Sequence, residues 1–363
     1  MESLIISILG DIITFDNGEI YINRQQITKK KYGESFIEKG ELYSSNLYYY
    51  FIYLGSVNRD LKKSKYSINT MLIFATLKGL VSNNDNLESI KDEYYKIYKK
   101  CKESNMKNLI PFEYLNSFSK LDNPNYKPNY NILDNDSYVL PRVIPIGLLY
   151  WKKDKGNREK LVKYTIQNVL LTHNNIKCYL SAVTLSLFLS YGRNNISTLK
   201  WANNLVDYLL SKEFDDIIKS LDLYNDTFII QKEQYITIWN EYIGLYLKKI
   251  INRKNDLEFV HQILPYIRTK YLFNLSDNSD IYAYGLRGDD CILIAYDSLI
   301  HSTESWEKIL LMGTVGPTNN SVMGTICGAL FGAIYKFESI WIDKHLKEEW
   351  VKKTIKLGKS LGL

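Results

Sequence analysis

The sequence is poor in the residues that most often announce chemistry. It holds four cysteines and four histidines among 363 residues. Cys101, Cys178, Cys291 and Cys327 stand far apart, with no C-x-x-C pair. That argues against a zinc ribbon, a thioredoxin-like dithiol and a secreted disulfide scaffold. The histidines are isolated, so no histidine-based metal site is legible. Long apolar runs are missing too. The longest, near 322–335 (VMGTICGALFGAIY), falls short of the roughly 18–20 residues a membrane span needs. Residues 1–8, MESLIISI, lack a basic leader, and the apolar stretch ends at Gly10-Asp11, too soon for a signal peptide. A soluble, cytoplasmic protein without a membrane partner is expected.

What is present is ordinary globular material. Hydrophobic residues make up 45% and charged residues 24%, which excludes a wholly disordered chain. A chain of this length buries enough surface to fold without a metal or disulfide. The net charge of +6 raises the question of nucleic acid. Its make-up answers it, because Arg is scarce and Lys abundant, whereas base and phosphate recognition favours the Arg fork. Lys, Asn, Ile and Tyr share AT-rich codons, so the bias reflects the genome. A solvated surface is expected, with no nucleic-acid partner.

Apolar residues recur mainly at helical spacing. The pattern predicts helices at about 67–80, 87–102, 140–151, 156–171, 178–191, 196–212, 232–251, 255–267, 290–300, 304–313, 322–336 and 343–360. The first is opened by a Ser cap at Ser67. The Asn-, Asp- and Pro-rich stretch 122–137 is the clearest loop. Short strands are weakly indicated at 19–22 and 226–230. The expectation is an all-α fold in a single domain over 1–363.

Several segments, taken in order, resemble the ADP-ribosylglycohydrolase family, and within it the ADP-ribosylarginine hydrolase branch. Gly10-Asp11 followed by Asn17-Gly18 is similar to that branch's G-D-A-L-G stretch and the N-G after it. Ser67-Ile68-Asn69-Thr70 stands where the family writes S-D-D-T before a helix. Thr172-His173 resembles its T-H segment. Residues 288–300, GDDCILIAYDSLI, then Trp306, then 316–337, GPTNNSVMGTICGALFGAIYKF, resemble its A-Y-D-A-L segment, its Trp and its G-D-x-D-[ST] motif. Arg142 with Pro145, Ile146, Gly147 and Leu148 is a weaker match. The order and spacing of these segments carry the resemblance across nearly the whole chain.

The resemblance implies an all-α fold and two Mg²⁺ ions that hold the ribose hydroxyls of ADP-ribose. Mg²⁺ sheds water reluctantly and binds hard carboxylate oxygens at about 2.0–2.1 Å. The family supplies them from the paired Asp of S-D-D-T and the two Asp of G-D-x-D-[ST]. Here those positions read Ile68, Asn69, Asn319 and Ser321. Ile68 cannot ligate a metal, and Asn and Ser bring no charge to balance two divalent cations. Thr70 survives from the first motif. Tyr21 falls where the branch carries an acid, with Glu19 nearby, and Tyr138 to Pro141 replace its Gly-rich residues before Arg142.

The candidate ligand-binding residues are therefore Asp11, Asn69, Thr70, Asn319, Ser321 and Asp290, with Asp11 the sole candidate for a catalytic role. A replacement metal or acid site from Asp11, Asp289 and Asp290 is conceivable. Helix capping by Asp289 and Asp290 is the simpler expectation. Gly324, Gly328 and Gly332 line one helix face and point to close helix packing. His173 at a helix start reads as structural. Three functions remain open: an inactive hydrolase-like protein that binds ADP-ribose or a protein partner, an active hydrolase with displaced Mg²⁺ ligands, and a purely structural interaction protein. The inactive reading leads, with no cofactor expected.

Overall fold

The computed structural model describes residues 1–15, 61, 64–82, 87–103, 117–253, 285–302, 304–314, 320–335 and 348–363. Expectations that fall elsewhere lie outside the described residues: the strand at 19–22, the helix at 255–267, and the candidates Glu19, Tyr21 and Asn319. Among the described residues the fold is all-α, and the one β-type contact is an isolated bridge between Tyr130 and Asn174.

Residues 2–15 form α1, a helix the periodicity did not pick out because it has no solvent face: residues 3–14 are all buried, polar ones included. It is followed by α2 (Ile68–Ser82), α3 (Leu87–Glu103), α4 (Val139–Leu149), α5 (Lys155–Leu170) and α6 (Ile176–Arg193). Next come α7 (Trp201–Leu209), α8 (Lys212–Ser220) and α9 (Asp226–Tyr242), which runs through a π turn (Ile243–Leu247) into α10 (Lys248–Arg253). The last helices are α11 (Gly288–His301), α12 (Trp306–Thr314), α13 (Asn320–Ile334) and α14 (Glu348–Ser360). Among the described residues no helix is long and apolar enough to cross a membrane.

Two expectations need correction. The segment 226–230 is the first turn of α9, not a strand. Asn225 accepts the N–H of Phe228 at 2.9 Å, and this cap outweighs the local β-branched bias. The helix expected over 196–212 starts later, at Trp201, behind a 3₁₀ turn at Thr198–Lys200, and ends at Leu209. Asn195 in the left-handed region (φ 56°) separates it from α6.

Helix α6 is the hub. Almost all its side chains are buried, and it packs on α4, α5, α9, α11 and α13. A helix apolar all round has no solvent face and must lie inside the bundle. Around it, α1 lies against α13 at backbone contact. A Cβ at Gly328 would strike the Ile6 carbonyl, and one at Gly332 would sit 2.6 Å from Ser3 Cα. The glycine stripe is thus a packing surface for α1. Three Gly in a helix interior cost about 1 kcal/mol each against Ala, which this close approach offsets. Trp306 is buried against Phe331, with ring centroids 5.6 Å apart, so the family-matched Trp is part of the core.

Candidate functional site

The N-terminus of α2 is the first place where separated motifs meet. Ser67 caps it in the ordinary way, its Oγ accepting the N–H of Asn69 at 3.0 Å. Asp11, within the buried run 3–14 of α1, completes the cap from another helix. Its Oδ2 accepts the N–H groups of Ser67 (3.0 Å) and Thr70 (3.3 Å) and the Thr70 hydroxyl (2.5 Å). Its Oδ1 accepts the Ser67 hydroxyl at 2.5 Å. Both oxygens of Asp11 are therefore committed to the helix start, Oδ2 to its backbone N–H groups and the Thr70 hydroxyl and Oδ1 to the Ser67 hydroxyl. Burial lifts its pKa from 3.8 to about 6, against the four hydrogen bonds that pull it down. In this geometry Asp11 positions residues 67–70.

Those residues face α13. Asn69 is fully buried, and its Nδ2 donates to Ser321 Oγ at 3.1 Å. Its Oδ1 is buried with no hydrogen-bond partner. A buried carbonyl oxygen left unpaired costs about 1–3 kcal/mol, so such an atom calls for a reason. Ile68 is buried in the core beside them. The sequence-matched positions 68, 69 and 321 are thus brought together, and the side chains that meet there are neutral.

Asp290 belongs to a second cluster, at the start of α11, and shares no hydrogen bond with Asp11, Asn69, Thr70 or Ser321. It accepts the N–H groups of Gly285 (2.9 Å) and Arg287 (3.0 Å), closing the turn that begins the helix. Burial, and then the neighbouring Asp289 charge, raise its pKa to about 7. Asp289 accepts from Asn135 Nδ2 at 2.9 Å, while Asn135 Oδ1 takes the N–H of Gly288 at 3.2 Å. Lys177 stands 3.7 Å from Asp289. Asn135 is a residue the sequence reading passed over, because it lay in a loop whose many Asn and Asp look alike. Among the described residues, no three His, Cys, Asp or Glu side chains converge as a metal ligand set.

The remaining matched residues hold the bundle together. Arg142 is fully buried, and its Nη2 donates to the carbonyls of Asn168 and Val169 at 3.1 Å each, at the C-terminus of α5. Its cation thereby meets the negative end of a helix, with the Tyr94 ring 5.5 Å away. Tyr138 and Pro141 belong to the start of α4, where a missing proline N–H costs nothing. His173 is bonded through Nδ1 to the Thr172 hydroxyl at 2.7 Å. Burial, with the Arg142 charge second, depresses its pKa to about 3, so it stays neutral beside Asp134 at 3.7 Å.

The ADP-ribosylglycohydrolase family model matches residues 7–360, and the chain belongs to that family. It is 27% identical over 340 residues to a protein of Acanthamoeba polyphaga mimivirus that carries the provisional name ADP-ribosyl glycohydrolase L444. That match covers 90% of this chain, which spans 62% of the length of the viral protein. It is 25% identical over 320 residues to ADP-ribosylhydrolase ARH1 of Dictyostelium discoideum, covering 82% of this chain and 81% of that one.

Proposed function

We propose that this chain is an ADP-ribosylglycohydrolase-family protein that has given up metal-dependent hydrolysis and binds ADP-ribose, free or on a modified protein, through neutral hydrogen-bonding groups. The observation that carries this reading is the Asn69–Ser321 pair with its unpaired Asn69 Oδ1. A buried acceptor without a donor is suited to a ribose hydroxyl. It is unsuited to Mg²⁺, which needs carboxylate charge that positions 68, 69 and 321 do not bring. The donor set among the described residues does not fit the family's two metal ions, and Asp11 is occupied by α2.

The alternative of an active enzyme draws on the names of the relatives and would require replacement ligands. The candidates are Asp11, which is taken up by α2, and Asp289 and Asp290. The oxygens of the latter two serve Asn135 and the N–H groups of Gly285, Arg287 and Asp290 itself, which favours capping over ligation. No placed general base for water follows from these groups.

Calorimetry with ADP-ribose, with and without Mg²⁺, tests the reading. Binding should be weak, unchanged by Mg²⁺ and reduced by Asn69→Ala. Tight, Mg²⁺-dependent binding, or Mg²⁺-dependent release of ADP-ribose from modified arginine, would overturn it and restore the active alternative.

A further inference from the structure

A cavity of about 290 Å³ opens at the other end of the bundle, between the C-termini of α4 and α6 and the helices α5 and α7. It is remote from the Asn69–Ser321 pair. Ser321 lies in the first turn of α13, and Ala333, near the far end of that helix, packs on Gly192 next to the cavity's Tyr191. About twelve helical residues separate them, roughly 18 Å.

We infer that this cavity is a second binding site, for a small aromatic molecule carrying one anionic group. Its volume is at the lower edge of ligand pockets, which suits a single ring system. The floor is apolar, from Leu161 and Leu187, and Tyr150, Tyr191 and Tyr208 supply flat aromatic surface. Tyr208 is 91% buried, and its hydroxyl has no hydrogen-bond partner. A buried hydroxyl without a partner calls for a reason, and a ligand against the Tyr208 ring supplies one. The charge at the rim is positive. Arg158 is neutralised by Glu213, through two hydrogen bonds of 2.7 Å each, and lies 5.4 Å from the Tyr208 ring. Among the lining residues, Lys152 and Lys153 then stand against one carboxylate, Asp207, with Asp154 next in sequence outside the lining. A ring with one negative group suits the tyrosine walls and the two lysines together.

The test is titration calorimetry of the full chain with benzoate and phenyl phosphate, alongside phenol and inorganic phosphate. Benzoate or phenyl phosphate should saturate and bind at least about tenfold tighter than either control; which of the two does so identifies the anionic group. Tyr208→Phe removes only an unpartnered hydroxyl, so the fold should survive, and affinity should fall about three- to tenfold. Lys152→Ala with Lys153→Ala, both exposed, should weaken binding further and flatten its salt dependence. Asn69→Ala should leave it unchanged, separating this site from the ADP-ribose reading. The proposal is overturned if neither probe saturates, if a control binds as tightly, or if Tyr208→Phe and the lysine variant leave affinity intact.

Discussion

Gly10 of α1 and Gly324 of α13 touch backbone to backbone: a Cβ on Gly324 would fall 2.6 Å from the Gly10 carbonyl oxygen, and one on Gly10 would overlap the Gly324 carbonyl. Asp11 follows Gly10, and Ser321 precedes Gly324 by one turn. The close approach therefore brings the α2 N-terminus, through Asp11, up to Ser321. Packing and site geometry are one arrangement here.

Gly324→Ala should destabilise the protein. Helix propensity alone would stabilise it by up to about 1 kcal/mol. Overpacking against Gly10 and Thr14 should exceed that and leave a net loss of about 1–3 kcal/mol. Thermal or urea unfolding reads the sign directly. A stabilised Gly324→Ala would mean that α1 does not lie on α13.

Asp11→Ala should unfold or severely loosen the start of α2, since four donors lose their acceptor. A loss of at least about 2 kcal/mol is expected, with Asp11→Asn intermediate because one amide oxygen can still accept. Unfolding midpoints of the two variants against the unmutated chain check the order.

Restoring carboxylates at Ile68, Asn69, Asn319 and Ser321 together should raise Mg²⁺ affinity, because hard cations respond to ligand charge and number. Single reversions should do little, as carboxylates that share metal ions act as a unit. The unmutated chain should release no ADP-ribose from modified arginine. Calorimetry with Mg²⁺ and a labelled-release assay follow both expectations.

Stability should fall as pH rises through neutrality. The Asp290 pKa in the fold, about 7, lies above its ordinary 3.8, so folding favours the protonated form. That contribution is fully present below about 3.8 and is lost as pH rises through 7. Asp11, at about 6, has the same sign. His173 acts oppositely: its contribution is complete above 6.5 and fades as pH falls toward 3. The cleanest window is therefore pH 6.5 to 8, where melting temperature should drop. Asp290→Asn should flatten that slope even if it lowers the melting temperature at every pH.

The sequence by itself determined the helical class and the positions of many helices, because apolar spacing and caps are local. Ser67 before α2 and the polar loop before α4 both stand where they were read, and the motif order was enough to place the family. Where local signals conflicted, as at 226–230, a single cap residue, Asn225, decided for helix. Only the tertiary structure decided what Asp11 does: a Gly-Asp pair is legible as a motif, but its use as a cap in trans depends on α1 reaching the α2 N-terminus. The same holds for Asn69 and Ser321, which are 252 residues apart and meet because glycines let α1 and α13 close up. The Tyr208 cavity could not be read at all, since its walls come from three helices and the segments that follow α4 and α6, whose side chains each look like ordinary core or ordinary surface. Periodicity reports which face of a helix is buried, whereas a site depends on which faces of distant helices are buried together.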